Sequence, residues 1–85
     1  MNTRKTLLTK EINQRLNYLQ EQLVEKDWDG CLITSNVNLY YYSGTMQVAY
    51  LFVPRQGEPT LFVRKNYKRA IEESPLSRIL KIRKP

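Results

Sequence analysis

Asn38-Leu39-Tyr40-Tyr41-Tyr42-Ser43-Gly44 is the stretch on which the fold turns. A short apolar run, Cys31-Leu32-Ile33-Thr34-Ser35, precedes it, and a longer one, Val48 to Val53, follows. Three consecutive tyrosines cannot all face one core. A strand sends neighbours to opposite faces, and a helical turn spreads them around its axis. At least one tyrosine therefore sits at an edge, with its hydroxyl in water or on a partner. Gly44 permits a turn that side-chain-bearing residues resist. The pattern is an aromatic lip beside a core strand.

Upstream, Leu8, Ile12, Leu16, Leu19 and Leu23 recur at helical spacing and predict a helix from about Thr9 to Lys26, packed on a core along one stripe. Thr9 is its expected N-cap. Glu11 and Arg15 stand four apart in the favourable order. Met1 to Thr6 are polar, so residues 1–8 are expected to be frayed and residues 9–85 to form the domain. Trp28, Asp29 and Gly30 end the helix. Asp27 and Asp29 flank Trp28; two carboxylates are a meagre ligand set for a metal, and a turn-forming role is the stronger reading.

Cys31 to Ser35 is read as a first strand; its lack of alternation predicts cover on both faces. Asn36, Val37 and Asn38 read as a turn, and Leu39 to Tyr42 as one helical turn. A second strand is expected from about Gln47 to Val53, uncharged from Val48 onward and so read as core. Hairpin chemistry follows in Pro54-Arg55-Gln56-Gly57-Glu58-Pro59, with Gly57 at the left-handed position. Thr60 to Arg64 makes a third strand. A short helix, Asn66 to Glu73, turns Ala70 and Ile71 inward and stops at Pro75. Ile79 to Arg83 is the last strand. This order predicts an α/β fold, a mixed β-sheet flanked by helices. A mixed sheet ending there exposes an apolar face or an unpaired edge, so the domain is read as truncated or completed by a partner.

The 85 residues allow one domain at most. The net charge of +6 permits attraction to nucleic acid, anionic lipid or an acidic protein. Much of the excess lies at the two ends, in Arg4, Lys5 and Lys10 and in Arg78, Lys81, Arg83 and Lys84, rather than in one arm. That distribution argues against nucleic-acid binding. One cysteine, Cys31, excludes an intrachain disulfide and reads as a small buried hydrophobe. The longest apolar run is far short of the ~20 residues that span a bilayer. No signal-peptide hydrophobic region appears, so a cytoplasmic protein without membrane contact is expected.

The chain has no histidine. Ser-His-Asp, Cys-His and His-ligated metal sites are therefore excluded within it. Glu21, Glu25, Glu72 and Glu73 read as solvated helix surface rather than as acid/base pairs. Gly30, Gly44 and Gly57 are isolated, so no phosphate-cradling loop exists. No catalytic residue, metal ligand or cofactor site is expected in this chain.

The quoted motifs, taken in register, resemble the N-terminal domain of the creatinase/prolidase/X-prolyl aminopeptidase family. Arg15-Leu16 with Leu19 and Leu23 is similar to its opening helix, Arg-Leu-x-x-Leu-x-x-x-Leu. Asp29 to Ser35 resembles its Asp-x-x-Leu-Ile-Thr-Ser strand. Asn38 to Gly44 resembles Asn-x-x-Tyr-Leu-Ser-Gly, Val53 to Val63 its hairpin, and Ala70 to Ser74 the helix after it. The likeness covers roughly Arg15 to Ser74. Tyr42 stands where leucine is common, and Thr45 where an aromatic often follows the glycine.

This resemblance implies a creatinase N-terminal-like, ribonuclease H-like fold and a noncatalytic role beside a separate pita-bread catalytic domain. That domain, absent here, would hold two divalent metal ions, manganese or cobalt, and act on X-Pro peptides. The implied roles of the present chain are homo-oligomer assembly and a contribution to an active-site rim. Tyr40, Tyr41, Met46 and Gln47 are the rim or interface candidates, with core or local turn residues as the competing reading. A free-standing basic module that binds nucleic acid or another polyanion is the alternative function.

Overall fold

The computed structural model describes residues 3–83. Helix α1 (Thr3–Glu25) leads to strand β1 (Gly30–Ile33), helix α2 (Asn36–Ser43), the hairpin β2 (Ala49–Pro54) and β3 (Thr60–Val63), helix α3 (Tyr67–Glu73) and strand β4 (Ile79–Lys81). The sheet runs β1-β2-β3-β4, antiparallel except for the parallel β3–β4 pair, which α3 connects. The expected mixed sheet with helices is thus the observed α/β architecture.

The stripe on α1 lies where its spacing puts it. Ile12, Leu16 and Leu23 are buried, and Leu8 and Leu19 pack against the same core. The helix begins at Thr3, six residues before the expected Thr9 cap. No Gly or Pro interrupts residues 3–8, so propagation from a formed helix costs little per residue, and Leu8 gains core contact. Met1 and Asn2, expected to be frayed, lie outside the described residues. At the other end Trp28 N–H donates to Leu23 O at 2.9 Å and Asp27 N–H to Val24 O at 3.0 Å. Asp27 takes the left-handed conformation at φ 57°. This is the Schellman arrangement, so Asp27 does form the turn. Its carboxylate accepts from Arg55 at 3.0 Å.

Strand register sorts the side chains. Ile33, Leu51, Leu61 and Ile79 form one row across all four strands, and all are buried beneath the helices. Ala49, Val53, Val63 and Ala70 of α3 join them, burying apolar area that drives the collapse. The alternate positions face the other way. Tyr50, Phe62 and Leu80 make one row, and Leu32 and Phe52 pair in the next. Leu32 is 60% exposed, Phe52 39% and Leu80 41%.

These values correct two expectations. The first strand is not covered on both faces, and Val48 to Val53 is core only at alternate positions. Apolar residues on both faces erase the alternation that marks a half-buried strand, so sequence could not tell this case from full burial. Leu32, Phe52 and Leu80 thus leave an apolar face of the sheet open.

Smaller boundaries also move. Ser35 does not end β1; it caps α2, its hydroxyl accepting from Asn38 N–H at 3.3 Å. The expected Asn36–Asn38 turn is therefore the first turn of α2. Cys31 is half-buried rather than fully buried. Gly57 has the expected positive φ, 102°. Ala70 is buried as expected, but Ile71 is 42% exposed, because a helix of seven residues buries only a narrow stripe. Gln20 of α1 reaches the hairpin, donating to the carbonyls of Pro54 at 2.9 Å and Gly57 at 2.8 Å.

Candidate functional site

The tyrosine stretch forms most of α2. Its Ser43 and Leu39 point inward, and the Ser43 hydroxyl returns to the Leu39 carbonyl. Gly44 closes the helix at φ 83°, its N–H donating to Tyr40 O at 2.9 Å. The helix thereby spreads the three tyrosines as the periodicity requires. Tyr42 turns to the core, while Tyr40 and Tyr41 remain 54% and 46% exposed.

Tyr40 and Met46 come together. With Asn36 and Val37 they line a largely apolar hollow at the exposed end of α2. Met46 is 79% exposed and Val37 80%, a concentration of apolar surface on a short, well-anchored segment.

Tyr41 faces elsewhere. Its ring packs edge-on against Tyr42 at 4.9 Å and lies under the Arg15 guanidinium at 4.2 Å. With Glu11, Gln14, Arg15, Tyr18 and Tyr42 it lines a second hollow along α1. Burial, with Tyr41 and Cys31 nearby, pushes the Tyr42 hydroxyl pKa up against the opposing charge of Arg15.

Gln47 turns away from the hollow. Its amide donates to Glu73 at 3.0 Å and accepts from Asn66 at 3.0 Å. The four candidates thus split into an exposed pair, Tyr40 and Met46, a ring stacked on α1, and an anchored amide.

Glu73 is the residue that sequence reading missed. It is not solvated helix surface but half-buried, and it accepts from Thr45 Oγ1 at 2.7 Å, Met46 N–H at 3.1 Å and Gln47 Nε2 at 3.0 Å. Burial acts to raise its pKa. The three hydrogen bonds and the Arg69 charge outweigh that and hold it below the usual carboxylate range. No local pattern marks such a residue, because its partners lie 26 to 28 positions away.

Among the described residues no group of three His, Cys, Asp or Glu side chains is placed to hold a metal ion. No helix of the described residues is long and apolar enough to cross a membrane.

Known structures share this fold. Prolidase from Pyrococcus furiosus is similar at 35% identity and TM-score 0.69, over 76% of this chain and 20% of that one. The creatinase/prolidase-like N-terminal domain from Corynebacterium diphtheriae is similar at 27% identity and TM-score 0.76, over 85% of this chain and 60% of that one. A proline dipeptidase from Streptococcus agalactiae 2603V shares the fold at 21% identity and TM-score 0.71, over 82% of this chain and 57% of that one. The chain therefore spans between 20% and 60% of the length of these relatives. No curated protein matches the sequence. Residues 15–85 match the Creatinase/Prolidase N-terminal domain, through β4 and beyond the Ser74 limit of the motif resemblance, and the chain belongs to that family.

Proposed function

We propose that this chain is the noncatalytic N-terminal part of an X-Pro dipeptidase- or aminopeptidase-like metallohydrolase, serving oligomer assembly and an active-site rim. The observation that carries the reading is the pairing of Tyr40 and Met46 on one exposed hollow beside Val37. Tyrosine offers a rigid apolar body with a polar tip, and methionine adapts to varied neighbours; both suit a rim that meets a peptide or a second subunit. The family assignment and the 35% identity to Pyrococcus furiosus prolidase favour a peptidase parent.

In this reading hydrolysis belongs to a catalytic domain with two divalent ions, manganese or cobalt. The domain acts in the cytoplasm as part of a homo-oligomer, and peptide substrate meets only the complete enzyme. Tyr40 and Met46 supply the rim, Gln47 anchors it, and Tyr41, held on α1, offers a separate interface contact.

A photo-crosslinking side chain at position 40 or 46, activated in cells that express the chain, tests this. An adduct with a second copy or with a peptidase catalytic domain is expected. Absence of both adducts overturns the rim and assembly role. Hydrolysis of an X-Pro dipeptide by the purified chain with Mn²⁺ or Co²⁺ overturns the noncatalytic assignment.

A further inference from the structure

Residues 45–47 lie between α2 and β2, outside every helix and strand. Their polar groups must therefore find partners beyond a ladder. One comes from α2, the Ser43 hydroxyl accepting from Thr45 N–H at 3.3 Å, and three come from a single residue of α3. The Glu73 carboxylate takes Thr45 Oγ1, Met46 N–H and Gln47 Nε2, one group from each of three consecutive residues. Thr45 Oγ1 also accepts from Gln47 N–H at 3.1 Å, tightening the loop on itself. At the other end of α3, Asn66 holds the Gln47 carbonyl oxygen at 3.0 Å and sits in the left-handed conformation, φ 59°. Both ends of one short helix thus grip one loop. Thr45 is fully buried, while its neighbour Met46 is 79% exposed. A chain fixed on one side of Met46 by a buried hydroxyl and on the other by an amide clamp sets the direction in which its Cα–Cβ bond leaves the backbone.

We propose that Glu73 is the positioning residue of the rim: it locks residues 45–47 and thereby fixes Met46 against Tyr40. The role of that surface rests on the function proposed above; the lock itself does not. Hydrogen bonds to an ionised acceptor are roughly twice as strong as neutral ones. Three from successive residues on one carboxylate make a local unit that opens as a whole.

Amide hydrogen exchange tests the lock, read as the Met46 rate relative to Leu51 in the buried row of the sheet. In Glu73→Gln the charge is lost, and the amide nitrogen at position 73 confronts the Gln47 amide nitrogen, a clash of donors relieved only if the Gln47 and Asn66 amides both turn over. The ratio is expected to rise about tenfold or more, the size of a lost charge-assisted bond. Adding Gln47→Glu restores the complement: the new carboxylate accepts from position 73 and from Asn66, while the position 73 carbonyl still accepts from Thr45 and Met46. The double variant is expected to return the ratio to within about threefold of the parent.

An unchanged ratio in Glu73→Gln overturns the proposal, as does a double variant no better than the single one. The crosslink from position 46 separates the two readings. A raised exchange ratio with undiminished adduct keeps the lock and removes its functional meaning; adduct lost together with protection supports both.

Discussion

The guanidinium of Arg15 lies 4.2 Å above the ring of Tyr41 while its Nη1 donates to the Tyr41 backbone carbonyl at 2.8 Å. One side chain thus binds both the π-face and the main chain of a single residue. The carbonyl belongs to the last turn of α2, where unpaired acceptors and the negative end of the helix dipole favour a cation. Arg15 also stands 4.0 Å from Glu11, one turn earlier on α1. The arginine that opens the family-like motif is therefore a clasp between α1 and α2.

Removing that clasp is expected to cost about 2 kcal/mol in Arg15→Ala, from the lost hydrogen bond and ring contact. Arg15→Lys is expected to recover less than half of it, because an ammonium cannot stack flat on a ring and reach the carbonyl together. Urea unfolding of the two variants measures both. Equal stability of Arg15→Ala and the parent would refute the clasp.

Gly44 is constrained twice. Its φ of 83° is unfavourable for side-chain-bearing residues, and a Cβ there would lie 3.2 Å from Ile12 Cδ1 and 3.3 Å from the Glu73 carbonyl. Gly57 shares the positive φ, 102°, but has open space around it. Gly57→Ala is expected to cost about 1 kcal/mol, for the backbone alone. Gly44→Ala should cost at least about 1 kcal/mol more, for displaced core atoms. Thermal melts of the pair check the difference, and equal losses would count against the close packing.

Two titrations act on stability at opposite ends of the pH scale. The Glu73 pKa is depressed on folding, so its contribution to stability is present above the unfolded value near 4.5 and is lost as pH falls through the lower folded value. Tyr42 is the opposite case. Burial raises its folded pKa above 10.0, so folding favours the neutral phenol and stability declines as pH climbs past 10 toward that higher value. Denaturation midpoints across pH 2–12 should fall at both ends. Glu73→Gln is expected to flatten the acid limb and Tyr42→Phe the alkaline one.

The two faces of the sheet predict opposite responses to similar losses. Leu61 is fully buried in the continuous row, and Leu61→Ala is expected to cost about 3 kcal/mol. Leu80 is 41% exposed on the open face, and Leu80→Thr is expected to change stability by less than about 1 kcal/mol while improving solubility. Chemical unfolding and the concentration at which each variant precipitates decide between these outcomes.

What the sequence determined by itself is what local periodicity and turn chemistry carry. The α1 stripe of Leu8, Ile12, Leu16, Leu19 and Leu23 needs only 3.6-residue spacing, and Gly44 and Gly57 need only a positive φ. Three adjacent tyrosines had to diverge wherever they lay. The family was equally readable, because its motifs keep their order along the chain.

Tertiary structure alone decided which tyrosine turns inward, which sheet face stays open, and that Glu73 grips residues 45–47. Leucine, valine and phenylalanine occupy both faces of the strands, so composition could not say which face the helices cover. A carboxylate at a helix end looks the same whether water or three donors surround it. The donors here stand 26 to 28 residues away, and only the β2–β3 hairpin and the α3 crossover bring them within hydrogen-bonding reach.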